Sequence, residues 1–280
     1  GEEVGPSRPR AVEPPALRTR CETPFMSDGS DPSDPYARLS YRRLIAWPAR
    51  IEREAPFLRE VLANAPSRRL LDLGCGTGEH ARFLSEEGFE VTGVDASEAQ
   101  LTQAREAGPG PEFVKGDLAE LDAAVTGPFG GAISLGNGLP HLHEKEMASF
   151  LGHLARLLLP GAPVLFQLLN YDRILDQGVT SLPLNVRDDG GERVVFLRLM
   201  EPRPDGTVLF NPTSLRWRPG AEPPVEVVAA KNVLLKGWRR VELEAALDGT
   251  GFRVETVFGG MKGESWEAGT SSDTVVLARR

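Results

Sequence analysis

An α/β fold built on a doubly wound, mostly parallel sheet is predicted by this 280-residue sequence. Three observations predict it. Short apolar runs alternate with helical stretches between Arg69 and Leu168. The first apolar run leads into a glycine-rich turn and then a helix, an arrangement suited to nucleotide-like ligands. After Asp172 the alternation stops, and apolar runs follow one another with only turn signals between them. The first pattern needs a parallel sheet covered on both faces; the last fits a small antiparallel insertion.

The elements follow in order. Residues 1–35 are rich in Pro, Arg, Glu, Ser and Asp and poor in large apolar groups. Such a segment buries too little surface to offset its ordering entropy, so a disordered arm is expected. Residues 36–65 carry Leu44, Ile45, Ile51, Phe57, Leu58, Val61 and Leu62 at three- and four-residue intervals, a helical cap. Pro48 and Pro56 predict a break into two or three short helices. Five strands are predicted at 69–73, 89–94, 113–117, 131–135 and 164–168. Ser97-Glu98-Ala99-Gln100 has the form of a capping box. Met147, Phe150, Leu151, Leu154, Leu157 and Leu158 share one helical face that Pro160-Gly161 terminates. An insertion at 183–236 holds strands at 194–199, 207–217 and 225–235, with turns at 204–206 and 219–220. A helix at 240–247 and closing strands at 252–257 and 274–278 bring the main sheet to seven strands within one domain, 36–280.

Composition narrows the function. Lys plus Arg total 32 and Asp plus Glu 40, a net charge of −8. An acidic chain without a basic block is a poor grip for a phosphate backbone, so nucleic acid is not expected as a partner. Cys21 and Cys75 are the only cysteines and cannot build a metal cluster; no metal is expected, and both thiols are read as reduced. With no membrane-length apolar run and no secretory leader pattern, a cytoplasmic location is expected and no membrane partner. Oligomeric state is not legible.

The glycine turn carries the chemistry. Leu70-Leu71-Asp72-Leu73-Gly74-Cys75-Gly76-Thr77-Gly78 places three glycines where a backbone must turn tightly and a ligand approach closely. A nicotinamide dinucleotide is disfavoured, because its Gly-x-Gly-x-x-Gly fingerprint puts a glycine where this chain has Glu79. Asp72 and Glu79 would also repel a pyrophosphate at the helix N-terminus. A phosphate-free, positively charged ligand suits these acids better, and S-adenosylmethionine has that character, with an α-ammonium and a sulfonium. Asp95, at the end of the second strand, can accept hydrogen bonds from two ribose hydroxyls. Asp117, at the end of the third, can accept from an adenine amino group while the Leu118 backbone N–H meets the ring.

The run from Leu70 to Gly78 with Val94-Asp95-Ala96-Ser97 resembles the class I S-adenosylmethionine-dependent methyltransferases, a Rossmann-like family. Leu135-Gly136-Asn137-Gly138-Leu139-Pro140-His141-Leu142 and Asn170-Tyr171-Asp172-Arg173-Ile174-Leu175 are similar to the glycine and sarcosine N-methyltransferase branch. The resemblance implies S-adenosylmethionine as cofactor, held by Arg50, Asp72, Gly74, Cys75, Gly76, Gly78, Asp95, Ala96, Asp117, Leu118 and Gly136. Arg50 matches the arginine that pairs with the methionine carboxylate. Catalytic positions fall on Asn137, His141 and Tyr171; substrate contacts fall on Tyr36, Trp47, Leu169 and Asn170. Tyr171 either orients the substrate or fills the core, and Trp47 either walls the pocket or packs the cap. Where the branch has an arginine for the glycine carboxylate, immediately before Asn-Tyr-Asp, this chain has Leu169. That removes a charge-assisted anchor and points to a less polar acceptor than glycine.

Among the histidines, His80 is expected on a helix surface, His153 in a structural role and His143 facing solvent near a helix start. His141 is expected to hydrogen-bond the donor rather than abstract a proton. The implied reaction is transfer of a methyl group to a small-molecule amine nitrogen. Transfer to oxygen, sulfur or carbon and a non-catalytic regulatory binding protein are the alternatives.

Overall fold

The computed structural model describes residues 45–189 and 192–280. The predicted arm and the candidate Tyr36 lie outside the described residues.

Helix α1 (Trp47–Leu62) runs unbroken through Pro56, where a break is predicted; the part of the predicted cap before residue 45 lies outside the described residues. Pro48 falls in its first turn, where no intrahelical N–H is required. Pro56 lies inside it and leaves the Glu52 carbonyl without its usual donor; both residues are exposed, so water can serve that oxygen. The buried face of α1 is Glu54, Ala55, Phe57, Leu58, Val61 and Leu62.

Seven strands form the main sheet: β1 (Arg69–Leu73), β2 (Glu90–Asp95), β3 (Glu112–Lys115), β4 (Gly131–Ser134), β5 (Pro163–Leu169), β11 (Arg253–Phe258) and β12 (Asp273–Arg279). Their order is β11-β12-β5-β4-β1-β2-β3. β1 to β5 are mutually parallel, and β12 runs antiparallel to both β5 and β11. The sheet is Rossmann-like, and its chain order reverses between β1 and β4. Ligands of such sheets bind at that reversal, beyond the carboxyl ends of the strands.

Helices cover both faces. α1, α2 (Glu79–Glu86) and α3 (Glu98–Glu106) pack over Leu70, Ile133, Leu165 and Val275. The opposite face, with Leu71, Leu73, Phe166 and Val276, receives α5 (Glu144–Leu157) and α7 (Arg240–Asp248). α4 (Leu121–Ala124) and α6 (Tyr171–Gln177) are short connectors on that side.

A second sheet of five strands fills the insertion, in the order β10-β8-β7-β6, with β9 also paired to β8. The strands are β6 (Asn185–Asp189), β7 (Glu192–Pro202), β8 (Thr207–Trp217), β9 (Val225–Ala230) and β10 (Val233–Lys236). The single strand predicted at 225–235 is thus two. β9 pairs with β8 from Thr213 onward and β10 with β8 up to Phe210. Between them on β8 stands Pro212, which has no N–H to donate to the ladder; its carbonyl accepts the Lys231 N–H at 3.2 Å. β6 escapes the periodicity because Asn185-Val186-Arg187-Asp188-Asp189 is largely polar, as edge strands often are.

Candidate active site

Ends of β1, β2 and β3 place the first group of site residues. Gly74, Gly76 and Gly78 have φ of +70°, +55° and +79°. At Gly78, the N-cap of α2, an added Cβ would lie 2.5 Å from the Phe113 ring. At Gly74 nothing stands within 4 Å, and at Gly76 only the Gln100 Oε1, at 3.9 Å. One glycine is therefore demanded by packing, while the other two keep an open approach for a ligand.

Asp95 organises this turn. Its Oδ2 accepts the Gly76 N–H and its Oδ1 the Ser97 N–H, both at 2.8 Å. Ser97 caps α3 through the Gln100 N–H, one half of the predicted capping box, while the Ser97 N–H goes to Asp95 instead of the Gln100 side chain. Ala96 is exposed beside Asp95. Asp117 caps the 3₁₀ turn Leu118–Glu120 through the Ala119 N–H at 2.8 Å. Its carboxylate is otherwise exposed, and Leu118 is half-buried.

Asp72 is 2 % exposed, and its Oδ2 has no hydrogen-bond partner among the described residues. Burial, reinforced by the charges of Asp95 and Glu79, pushes its pKa up to about 7, against the opposing Ala81 N–H. Thr77 donates its hydroxyl to Glu79 at 2.5 Å. Cys75 is a free thiol that burial and the neighbouring acids keep protonated. An orphaned buried carboxylate oxygen among three acids, beside an open glycine turn, fits a cation without phosphates. S-adenosylmethionine meets that requirement.

A second cluster tethers α1 to α2. Glu54 accepts the Arg50 Nε–H at 2.9 Å and pairs with His80 Nε2 at 2.8 Å. Burial raises the Glu54 pKa, but the His80 hydrogen bond and the Arg50 charge outweigh it, and the carboxyl ends below its ordinary range. Burial holds His80 below its ordinary range despite Glu54. The coherent state is a neutral imidazole donating Nε2–H to a carboxylate whose charge Arg50 balances. The surface position expected for His80 is thus corrected: it is 7 % exposed, because a partner 26 residues earlier covers it. Trp47 meets the His80 ring edge-on at 5.3 Å and the Arg50 guanidinium at 5.1 Å. Trp47 therefore packs the cap in this structure.

Residues 70–161 match the Methyltransferase domain family. Glycine/sarcosine N-methyltransferase of Parasynechococcus marenigrum (strain WH8102) is 34% identical over 141 residues, 49% of this chain and 50% of that protein. The enzyme of the same name from Halorhodospira halochloris is 34% identical over 143 residues, 49% of this chain and 53% of that protein. The chain spans about half the length of these curated relatives. Among solved structures, Streptomyces venezuelae DesVI aligns with a TM-score of 0.68 at 22% identity, covering 89% of this chain and 98% of that one. The amino pentose methyltransferase CalS10 from Micromonospora echinaspora aligns at 0.66 and 22% identity, covering 86% and 94%. At that identity the likeness concerns the fold.

Residues 70–161 therefore carry a methyltransferase domain.

The ends of β4, β5 and β12 supply the second group of residues. Gly136 and Asn137, with φ of +84° and +71°, form a turn pinned to β5. The Gly136 N–H donates to Gln167 Oε1 at 2.6 Å, and Asn137 Oδ1 accepts the Leu169 N–H at 2.9 Å. Asn137 Nδ2 reaches the Tyr171 hydroxyl at 3.1 Å. Tyr171 is fully buried, and burial pushes its phenol above its ordinary range. Of the two readings of Tyr171, the structure bears out the core position. His141 closes the 3₁₀ turn Leu139–His141, and burial lowers its pKa, which favours the neutral ring. His143 caps α5, half-buried, and His153 bonds Ser149 and Asp122.

Asn170 is turned to the protein interior. It is 1 % exposed, accepts the Arg173 N–H, and donates to the carbonyls of Ala268 and Ser271, each at 3.0 Å, and of Glu267 at 3.4 Å. Its amide is consumed in capping α6 and clamping the 267–271 loop, which corrects the predicted substrate contact. Leu169 is half-buried at the sheet edge. Two residues escaped the sequence reading. Gln167, a lone polar residue in an apolar strand, donates Nε2–H to Asp273 Oδ1 at 3.0 Å. Asp273 opens β12 directly across from Leu169. Asp273 borders a cavity of about 490 Å³, bounded also by Arg53 and Glu54 of α1 and by residues between Gly259 and Ser272.

Among the described residues, no helix is long and apolar enough to cross a membrane.

Proposed function

We propose that the protein transfers a methyl group from S-adenosylmethionine to an amine nitrogen of a small molecule. The observation that carries this is the orphaned Asp72 oxygen within the Asp72, Glu79 and Asp95 group, beside a glycine turn open to a ligand. The glycine/sarcosine N-methyltransferase relatives support nitrogen as the acceptor atom.

When bound, the cofactor supplies a methyl carbon activated by a positively charged sulfur. The residues need only hold it and align the incoming group. Asp95 takes the ribose hydroxyls, Asp117 and the Leu118 N–H take the adenine, and Gly74 and Gly76 admit the methionine portion. Arg50, engaged by Glu54 through Nε, presents the rest of its guanidinium to the methionine carboxylate. The turn at Gly136 and Asn137, locked by Gln167 and Tyr171, lies between the donor and the acceptor. His141, kept neutral by burial, serves as a hydrogen-bonding group.

Calorimetry with S-adenosylmethionine and S-adenosylhomocysteine tests the donor site; micromolar binding of both is expected. Transfer of an isotopically labelled methyl group to a panel of amines, alcohols, thiols and carbon acids then separates the acceptor atoms. Failure of both ligands to bind overturns the reading. Binding without transfer to any acceptor would leave a regulatory binding protein.

A further inference from the structure

We infer that Asp273 is the acceptor-recognising residue of this site, and that it selects amines lacking a carboxylate. The inference rests on the methyltransferase reading. Three observations converge on Asp273.

The first is position. Asp273 pairs across the ladder with Leu169, and Val275 with Gln167. Because side chains alternate across a strand, Gln167, Asp273 and Val275 share one face, while Leu169, at the end of β5, packs against the opposite core. Val275 packs in the core that α1 covers, so this is the α1 face of the sheet. Asp273 thus stands at the carboxyl edge, two strands from the chain reversal at β4 and β1.

The second is connection. Gln167 bridges Asp273 to the donor-side turn. Its Nε2–H goes to Asp273 Oδ1 at 3.0 Å, and its Oε1 takes the Gly136 N–H at 2.6 Å. One amide therefore fixes the distance between the carboxylate and the turn bordering the donor. Such a bridge holds a reacting group in register with its partner.

The third is the cavity that Asp273 borders, about 490 Å³, room for a small metabolite. Four carboxylates line it, Glu54, Glu264, Glu267 and Asp273, against the two cations Arg53 and Lys262. Three of these acids are engaged elsewhere. Glu54 holds Arg50 and His80, Glu264 accepts the Lys262 N–H, and Glu267 accepts the Thr270 hydroxyl. Asp273 takes its hydrogen bonds from Gln167 and Ser272, both neutral, and the charge of Arg50 acts on it without an ion-pair contact among the described residues. An amine N–H can supply that contact, whereas a carboxylate on the acceptor meets repulsion.

The experiment uses the full chain saturated with S-adenosylhomocysteine. Three probes are titrated calorimetrically: 2-aminoethanol, glucosamine and glycine. At least one of the two carboxylate-free amines is expected to bind at least tenfold more tightly than glycine. Asp273→Asn keeps one acceptor oxygen, for Gln167, and gives up only the longer bond from Ser272 at 3.3 Å, so the fold and the turn persist. It is expected to weaken the amine at least tenfold while S-adenosylhomocysteine affinity stays within twofold, and Asp273→Glu should recover part of the loss. Glycine binding as well as both amines, binding of neither amine, or amine affinity unchanged in Asp273→Asn each overturn the role of Asp273. Absence of S-adenosylhomocysteine binding to the unsubstituted chain overturns the methyltransferase reading itself, and this inference with it.

Discussion

The two halves of the carboxyl edge are built differently. On the donor half, at the ends of β1, β2 and β3, functional groups are held by near neighbours in sequence. Asp95 serves Gly76 and Ser97, 19 and 2 residues away, and Asp117 serves Ala119, 2 residues away. On the acceptor half, at the ends of β4, β5 and β12, the partners are distant. Gln167 and Asp273 are separated by 106 residues, and Asn170 holds Ser271 across 101. The donor half is a local motif that many sequences can reproduce. The acceptor half exists only once the sheet has closed, so its chemistry can change without disturbing the first.

If the halves are independent, breaking one should spare the other. The largest effect is expected from Asp95→Ala. It removes the acceptors for the Gly76 and Ser97 N–H groups together with the proposed ribose contact. Loss of charge-assisted hydrogen bonds of this kind costs about 3 kcal/mol, roughly a hundredfold in S-adenosylhomocysteine affinity by calorimetry. An affinity within threefold of the unsubstituted protein would show that the ribose lies elsewhere.

Asn170→Ala is the reciprocal cut. It frees three loop carbonyls and the N-cap of α6 without touching the glycine turn. A stability loss of about 2 kcal/mol in urea denaturation is expected, with S-adenosylhomocysteine affinity unchanged within twofold. A parallel fall in that affinity would mean that the 267–271 loop supports the donor as well.

The same contrast explains what the sequence made legible. β1 and the turn at Gly74, Gly76 and Gly78 follow from local pattern, because apolar burial and backbone turning act over a few residues. β8 is found where its alternation predicts it. His80 was misread because the residue that buries it, Glu54, sits on another helix and carries a charge that helix periodicity assigns to solvent. Asn170 looked like a ligand contact because its partners come from a loop near the end of the chain. Gln167 did leave a trace, as the one polar side chain within β5, where every other residue is apolar. Asp273 left none, since an acid at the start of a strand is ordinary in a sequence and acquires meaning only beside Leu169 and Gln167.

The smallest effect is the most specific to the donor half, because it reads the charge of the ligand. With the site free, Asp72 has a pKa of about 7, raised by burial and by Asp95 and Glu79, and lowered by the Ala81 N–H. A cation binding beside it favours the carboxylate and lowers that pKa. The free protein must therefore release a proton to bind below pH 7 and need not above it. Affinity should rise with pH up to about 7 and then level, with a slope below 7 approaching tenfold, about 1.4 kcal/mol, per pH unit. Burial holds the His141 imidazole below its ordinary range, so the assignment needs Asp72→Asn, which should flatten the slope while His141 is retained. S-adenosylmethionine, with its additional sulfonium charge, should show at least as steep a dependence as S-adenosylhomocysteine. An equal slope in Asp72→Asn would place the titrating group elsewhere and remove the electrostatic distinction between this turn and a phosphate-binding one.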